Sequence, residues 1–266
     1  MADPYPFKNK VIAVTGASRG TGLALARYLL VRGATVSMCS TTEQNLAAAL
    51  EGIERDLPDA KGRVMTAVVD IAKHETVKSW IEQTVEKFGK LDGAANVAAV
   101  EQRQIFPIQD LDPKYFSDLL YTNVVGTFLS MKEEIPNMKD GGSIVNVGSI
   151  TSTYASAGVS AYVASKHAIV GITKVAAFEC AKRQIRVNTV NPGCIDTEMM
   201  HKPFESPDGQ FHLDADKVPC LTRRLAEDWE VAAAIAFLLG DEGRFVNKSS
   251  WAVDGGWLEG NFSEGM

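Results

Sequence analysis

Short apolar runs alternate with stretches of helical periodicity from residue 10 onward. Lys10-Val11-Ile12-Ala13-Val14-Thr15 predicts a strand buried on both faces, and the apolar spacing over 23–30 predicts the helix that follows. The alternation repeats, with strands expected over 34–39 and 64–69 and helices over 46–53 and 77–88. Gly141-Gly142 precedes a further strand over 143–147, one long helix is expected over 160–182, and another strand over 185–190. Strands separated by helices of this length imply βαβ units in a parallel sheet, so the expected fold is α/β, a doubly wound Rossmann-type sheet. No second hydrophobic pattern restarts midway, and one domain over 1–266 is expected.

One stretch departs from the pattern. Residues 196–218 are polar, rich in His, Pro, Asp and Gly, with Met199, Met200, Phe204 and Phe211 as the main apolar positions. A long, weakly patterned segment beyond the C-terminal end of a strand is expected to form a lid beside a ligand.

Composition excludes more than it identifies. The 266-residue chain carries a net charge of −6, which argues against a nucleic-acid partner, since counterion release needs clustered Lys and Arg. No apolar run has the ~18 residues of a membrane span, and the N-terminus does not read as a secretory leader, so no membrane partner and a cytoplasmic location are expected. Cys39, Cys180, Cys194 and Cys220 are scattered without a CxxC pair, and read as buried or half-buried thiols. His74, His167, His201 and His212 lack ligand spacing, so no metal is expected.

Thr15-Gly16-Ala17-Ser18-Arg19-Gly20-Thr21-Gly22 joins the first strand to the first helix. Glycines let phosphates approach backbone N–H groups closely, and a helix N-terminus offers unpaired N–H groups to a pyrophosphate. In many dinucleotide folds an acid ending the second strand holds the ribose hydroxyls of NAD. Here that neighbourhood reads Ser40-Thr41-Thr42, with no carboxylate before Glu43. Ser40 and Thr41 can donate hydrogen bonds to a 2′-phosphate and Arg19 can supply charge, so NADP(H) is favoured, with NAD(H) as the alternative.

Downstream, Ser149 closes a strand, while Tyr162 and Lys166 are four apart on the next helix and share a face. A free phenol, with pKa near ~10, is too weak a base at neutral pH, and a neighbouring cation favours phenolate. Lys166 is expected to supply that charge, Tyr162 to exchange the proton while hydride moves, and Ser149 to hold the substrate oxygen.

With these residues in place the chain resembles the short-chain dehydrogenase/reductase family, in its shorter single-domain branch, from about Phe7 to Trp257. The likeness rests on the glycine turn, Asp70-Ile71, Asn96-Val97-Ala98-Ala99, Asn123, Ser149, Tyr162-Val163-Ala164-Ser165-Lys166, Asn191-Pro192-Gly193 and Val253-Asp254-Gly255-Gly256, in that order. It implies that Gly16, Ser18, Arg19, Gly20, Thr21 and Gly22 line the cofactor, that Asp70 and Ile71 meet the adenine, and that Asn96 ties the central strands. Lys166 would also hold the nicotinamide ribose, and Asn123 a water in the proton relay. Pro192, Gly193, Ile195 and Thr197 would cradle the nicotinamide. Two departures stand out. Asn96-Val97-Ala98-Ala99 replaces the usual Asn-Asn-Ala-Gly, and Thr21 replaces a bulky aliphatic residue.

The expected activity interconverts a ketone and a secondary alcohol on a mid-sized, partly apolar small molecule, with a leaning toward specialised metabolism. The expected pocket is lined by Thr151, Ser152, Thr153 and Tyr154, by the 101–104 segment, and by Met200, Phe204 and Phe211 of the lid. His201 reads as a loop residue, and nothing activates Cys194 as a nucleophile. The alternatives are C=N or C=C reduction, a non-redox isomerisation or cyclisation, and a non-catalytic NADP(H) sensor. The resemblance also implies a homo-tetramer or homo-dimer, and the apolar Trp251, Trp257 and Phe262 fit either an interface or core packing.

Overall fold

In the computed structural model, residues 5–214 and 217–258 are described; Phe262 and part of the expected lid lie outside the described residues. Seven parallel strands form one sheet: β1 (Val11–Thr15), β2 (Thr35–Ser40), β3 (Val64–Val68), β4 (Leu91–Asn96), β5 (Met138–Val147), β6 (Arg186–Pro192) and β9 (Ser250–Val253). Their order is β3-β2-β1-β4-β5-β6-β9. Seven helices of at least two turns accompany them: α1 (Gly20–Val31), α2 (Glu43–Asp56), α3 (His74–Phe88), α4 (Pro113–Leu120), α5 (Gly126–Asn137), α6 (Ser160–Glu179) and α7 (Asp228–Leu239).

The two-residue period of the strands divides the core. Ile12 and Val14 face a cluster that includes Leu25 and Leu29 of α1, Ile53 of α2 and Ile235 of α7. Val11 and Ala13, pointing the other way, join Trp80 and Ile81 of α3, Met131 of α5 and Ala176 of α6. Burial on both faces is why these strands read as continuous apolar runs. After β3 the chain crosses back through α3 to place β4 on the far side of β1. That reversal opens a crevice at the C-terminal ends of β1 and β4, where a doubly wound sheet binds ligands.

Three elements differ from expectation. The long helix ends at Glu179 rather than 182, and a short 3-10 turn over Ala181–Arg183 follows. There Gln184 takes a left-handed φ of 55°, and the Arg183 guanidinium donates to the carbonyls of Ile135 and Met138. Between α4 and α5 a π-turn over Tyr121–Val125 carries Asn123.

The third lies within 196–218, where a hairpin appears, β7 (Phe204–Ser206) paired antiparallel with β8 (Gly209–Phe211). Its turn is Pro207-Asp208-Gly209, with Gly209 at φ 115°. Proline presets φ and glycine accepts the positive φ, so this turn signal was present in the sequence.

Candidate active site

The glycine turn is packed against the loop that follows β4. A Cβ on Gly16, at φ +67°, would lie 2.9 Å from Ala98 Cα, and one on Gly22 would lie 2.2 Å from the Gly16 carbonyl oxygen. Thr15 Oγ1 accepts from the N–H groups of Val97 and Ala98, at 3.0 and 3.1 Å. These contacts set the floor of a cleft of about 340 Å³.

Gly16, Ser18, Arg19, Gly20, Thr21, Gly22, Ser40, Thr41, Asp70 and Ile71 line the cleft. Pro192, Gly193, Ile195 and Thr197 line it as well, with Ser149, Tyr162 and Lys166, and a Cβ on Gly20 would lie 3.4 Å from Thr197. Ser18 Oγ donates to Ser40 Oγ at 2.8 Å, and Arg19 pairs with Glu198 across the mouth at 3.3 Å. Asp70 Oδ1 accepts from the Ala72 N–H at 3.1 Å, which orients its carboxylate.

This donor set fits a dinucleotide. The turn admits no side chains where phosphates would lie, and no carboxylate ends β2.

At the reacting end, Lys166 is 1% exposed and its Nζ donates to the Val147 carbonyl at 3.0 Å. Burial lowers its pKa to about 8, against an opposing pull from Glu101. The tuning expected of Lys166 on the phenol is not what dominates. Burial pushes the Tyr162 phenol up, the Glu101 charge pushes the same way, and a hydrogen bond with Ser149 pulls it down. Lys166 Nζ lies 5.4 Å from the centroid of the Tyr162 ring. Ser149 is fixed by a reciprocal cap in which its Oγ accepts from the Thr151 N–H and its own N–H donates to Ser152 Oγ.

Two carried-over residues are engaged inside the protein. Asn96 Nδ2 donates to Asn146 Oδ1 on β5 at 2.9 Å and to Glu134 Oε2 on α5 at 3.1 Å. Asn123 clamps Val100, with Oδ1 accepting from its N–H at 2.8 Å and Nδ2 donating to its carbonyl at 2.9 Å. Asn123 Nδ2 also donates to Ser165 Oγ, tying the loop to α6. The Asn123 side chain is therefore occupied in holding the cleft wall, and its neighbour Thr122 is the residue that lines the cleft.

The family model described as enoyl-(acyl carrier protein) reductase matches residues 16–258. Short-chain dehydrogenase/reductase ABA4 of Pyricularia oryzae is 38% identical over 255 residues, covering 95% of this chain and 93% of the relative. The chain belongs to the short-chain dehydrogenase/reductase family. A 2,5-dichloro-2,5-cyclohexadiene-1,4-diol dehydrogenase of Sphingobium indicum is 36% identical, over 94% of this chain and 98% of the relative. Among solved structures, a short-chain dehydrogenase from Burkholderia cenocepacia in complex with NADP superposes with a TM-score of 0.83 at 31% identity, over 94% of this chain and 98% of that one. The chain is thus an oxidoreductase with a nicotinamide cofactor. Among the described residues no helix is long and apolar enough to cross a membrane.

The family likeness leaves the substrate side to this chain's own residues, and here the structure corrects the expected pocket. Thr151, Ser152, Thr153 and Tyr154 do not line the cleft, because the cap at Ser149 folds 150–152 into a 3-10 turn. Phe204 is buried, stacked on Phe211 with centroids 5.6 Å apart and covered by the Arg103 guanidinium at 4.5 Å. Met199 and Glu198, rather than Met200, Phe204 or Phe211, face the cleft. His201 Nε2 lies 2.6 Å from Asp196 Oδ1 in an exposed pair outside the cleft. Burial pushes the Cys194 thiol up to about 12, so no thiolate forms there. Trp251 stacks on Phe237 at 5.3 Å and belongs to the core edge.

Two residues of the expected 101–104 lining have roles that the sequence did not indicate. Gln102, 1% exposed, accepts from the Tyr162 N–H at 3.1 Å and donates to the carbonyls of Gln104 and Gly158. It satisfies an N–H that the first turn of α6 leaves unpaired, and so holds the helix that carries Tyr162. Glu101 is the other. The bonds from Gln102 to Tyr162 and Gly158 span 60 and 56 residues, which no local spacing marks.

Proposed function

We propose that the protein is an NADP(H)-dependent carbonyl reductase or alcohol dehydrogenase acting on a ring ketone or secondary alcohol that bears a second oxygen function. The observation that carries the reading is that Ser149, Tyr162 and Lys166 line the same cleft as the glycine turn. The bound nicotinamide supplies or accepts hydride. Ser149 holds the reacting oxygen, Tyr162 exchanges its proton, and Lys166 holds the ribose hydroxyls. Burial and the Glu101 charge keep the Tyr162 phenol protonated, which suits donation to a carbonyl and hence reduction at neutral pH. The diol named for the Sphingobium relative supports the ring class. NADPH consumption across cyclic ketones with and without a second oxygen tests it; turnover confined to acyclic ketones would overturn the substrate class.

The NADP(H) preference rests on Arg19, Ser40 and Thr41 at a β2 end without a carboxylate. Hydrogen bonds to charged groups are worth roughly 1.5–3 kcal/mol, and Arg19 is half exposed and shared with Glu198, so the lower end applies. Arg19→Ala is expected to weaken NADPH binding about tenfold and NADH binding far less. Isothermal titration with both cofactors checks this; an equal loss for the two would remove the basis of the preference.

The segment over 196–218 is read as the substrate cover. It is joined to the cleft wall by backbone bonds from Glu205 N–H to the Arg103 carbonyl and from Ile105 N–H to the Glu205 carbonyl. Tyr121 in the π-turn, Phe128 on α5, and Val175 and Phe178 on α6 leave large apolar side chains uncovered. They support a homo-dimer or homo-tetramer, for which sedimentation should give two or four times 28.8 kDa; a 28.8 kDa species at micromolar concentration would exclude it.

A further inference from the structure

Glu101 is a carboxyl that the chemistry above does not require. It lines the cleft with Ser149, Tyr162 and Lys166, and its charge acts on both Tyr162 and Lys166. Its backbone is held on both sides, by the Asn123 clamp on Val100 and by the buried Gln102. Arg103 Nη2 lies 2.7 Å from Oε2. That guanidinium also donates to the carbonyls of Met199 and Lys202 and holds the buried Oε2, while no group of the described residues hydrogen-bonds the other carboxylate oxygen, Oε1.

The charge of Glu101 is thus balanced while its hydrogen-bonding capacity is not. Oε1 belongs to a cleft-lining carboxylate and has no partner in the protein, so it is the oxygen left for a ligand's polar group. The balance of charge decides which group. With Arg103 paired to the carboxylate and Lys166 in the same cleft, a cationic ligand would add a third positive charge. A neutral hydroxyl donates the missing hydrogen bond without that repulsion.

We propose that Glu101 is a specificity-determining residue that accepts a hydrogen bond from a second hydroxyl of the substrate, so that a hydroxy-ketone and its diol are preferred over a mono-ol of the same ring. This deepens the ring-alcohol reading above and rests on it. A carboxylate acceptor makes the stronger, charge-assisted kind of hydrogen bond, and the rigid loop leaves it already oriented. The reacting oxygen stays with Ser149 and Tyr162, and Glu101 takes no part in proton or hydride transfer.

The test is isothermal titration of the NADPH-loaded protein with cyclohexane-1,4-diol and with cyclohexanol. Wild type is expected to bind the diol about tenfold more tightly, the size of one charge-assisted hydrogen bond. Glu101→Leu should bring that ratio to about one. Glu101→Gln keeps the shape and a neutral acceptor, so it reads out even if the Leu variant does not fold, and about a threefold preference should survive. Equal binding of the two alcohols by wild type, no measurable binding of the diol, or an undiminished ratio in either variant would overturn the proposal. A merely structural role for Glu101 would weaken both alcohols alike and leave the ratio unmoved. Oxidation of the diol by NADP+ is scored separately. A Glu101-dependent preference without turnover would leave this site standing and count against the oxidoreductase reading of the substrate.

Discussion

Replacing Tyr162 with Phe is expected to lower kcat by about 10²- to 10⁴-fold, the range that a positioned general acid contributes. The substitution removes one hydroxyl from α6 and leaves the ring, so NADPH binding should be retained. The effect is large because the phenol lines the cleft beside Ser149, where it meets the reacting oxygen in the proposed mechanism. Stopped-flow or steady-state NADPH oxidation with a ring ketone is the measurement. Undiminished turnover in the variant would remove Tyr162 from the chemistry, and NADPH binding without wild-type turnover on any carbonyl class would favour a sensor. A pH profile adds a second reading. Lys166 loses its charge as pH rises through about 8, so wild-type kcat/KM for reduction should fall above that value.

Wild-type stability is expected to drop by about 3 kcal/mol between pH 4.5 and 8, and Glu134→Gln should abolish most of that slope. Glu134 is fully buried on α5, where Oε2 accepts from Asn96 and Oε1 has no partner. Burial raises its pKa from 4.5 to about 7, against a smaller opposing pull from the Asn96 hydrogen bond. Because the folded value is the higher one, the proton is bound more tightly in the native state. Below the unfolded value both states are protonated and nothing is lost. Through the interval the unfolded chain releases its proton first, and above about 7 the loss is complete. Glutamine keeps an acceptor for Asn96 and cannot ionise. Urea denaturation at several pH values compares the two slopes, and a variant that keeps the wild-type slope would place the titration elsewhere.

The network around Glu134 also shows where reading the chain stops. The parallel sheet was legible because each strand is buried on both faces, and the glycine turn because only residues without a Cβ fit against Ala98 and the Gly16 carbonyl. Tyr162 and Lys166 were legible because a four-residue spacing on a helix is itself a geometric statement. Glu134 carried no such mark. A glutamate on a helix is ordinarily solvated, and its partner Asn96 is 38 residues away in sequence. Asn123 was expected on a proton path, and its side-chain bonds to Val100 and Ser165, made from a π-turn, were not legible in the sequence. The Pro207-Asp208-Gly209 hairpin had a signal, but Phe204 and Phe211 were expected to cover substrate because apolar residues in a loop near a site suggest a lining. Arg103, a hundred residues earlier in the chain, takes up Phe204 instead.

What the sequence by itself determined, then, is whatever depends on local spacing and steric permission: the alternation of elements, the glycine turn, and the pairing of phenol with ammonium on one helical face. What only the tertiary structure decided is whatever depends on burial and on partners distant in the chain. The phenol is raised by burial and by Glu101 rather than lowered by its helical neighbour. Met199, not the phenylalanines, meets the cleft, and the Glu101 carboxylate, paired with Arg103, lines it with Tyr162 and Lys166. Desolvation and long-range pairing are properties of packed surfaces, and no spacing along a chain encodes them directly.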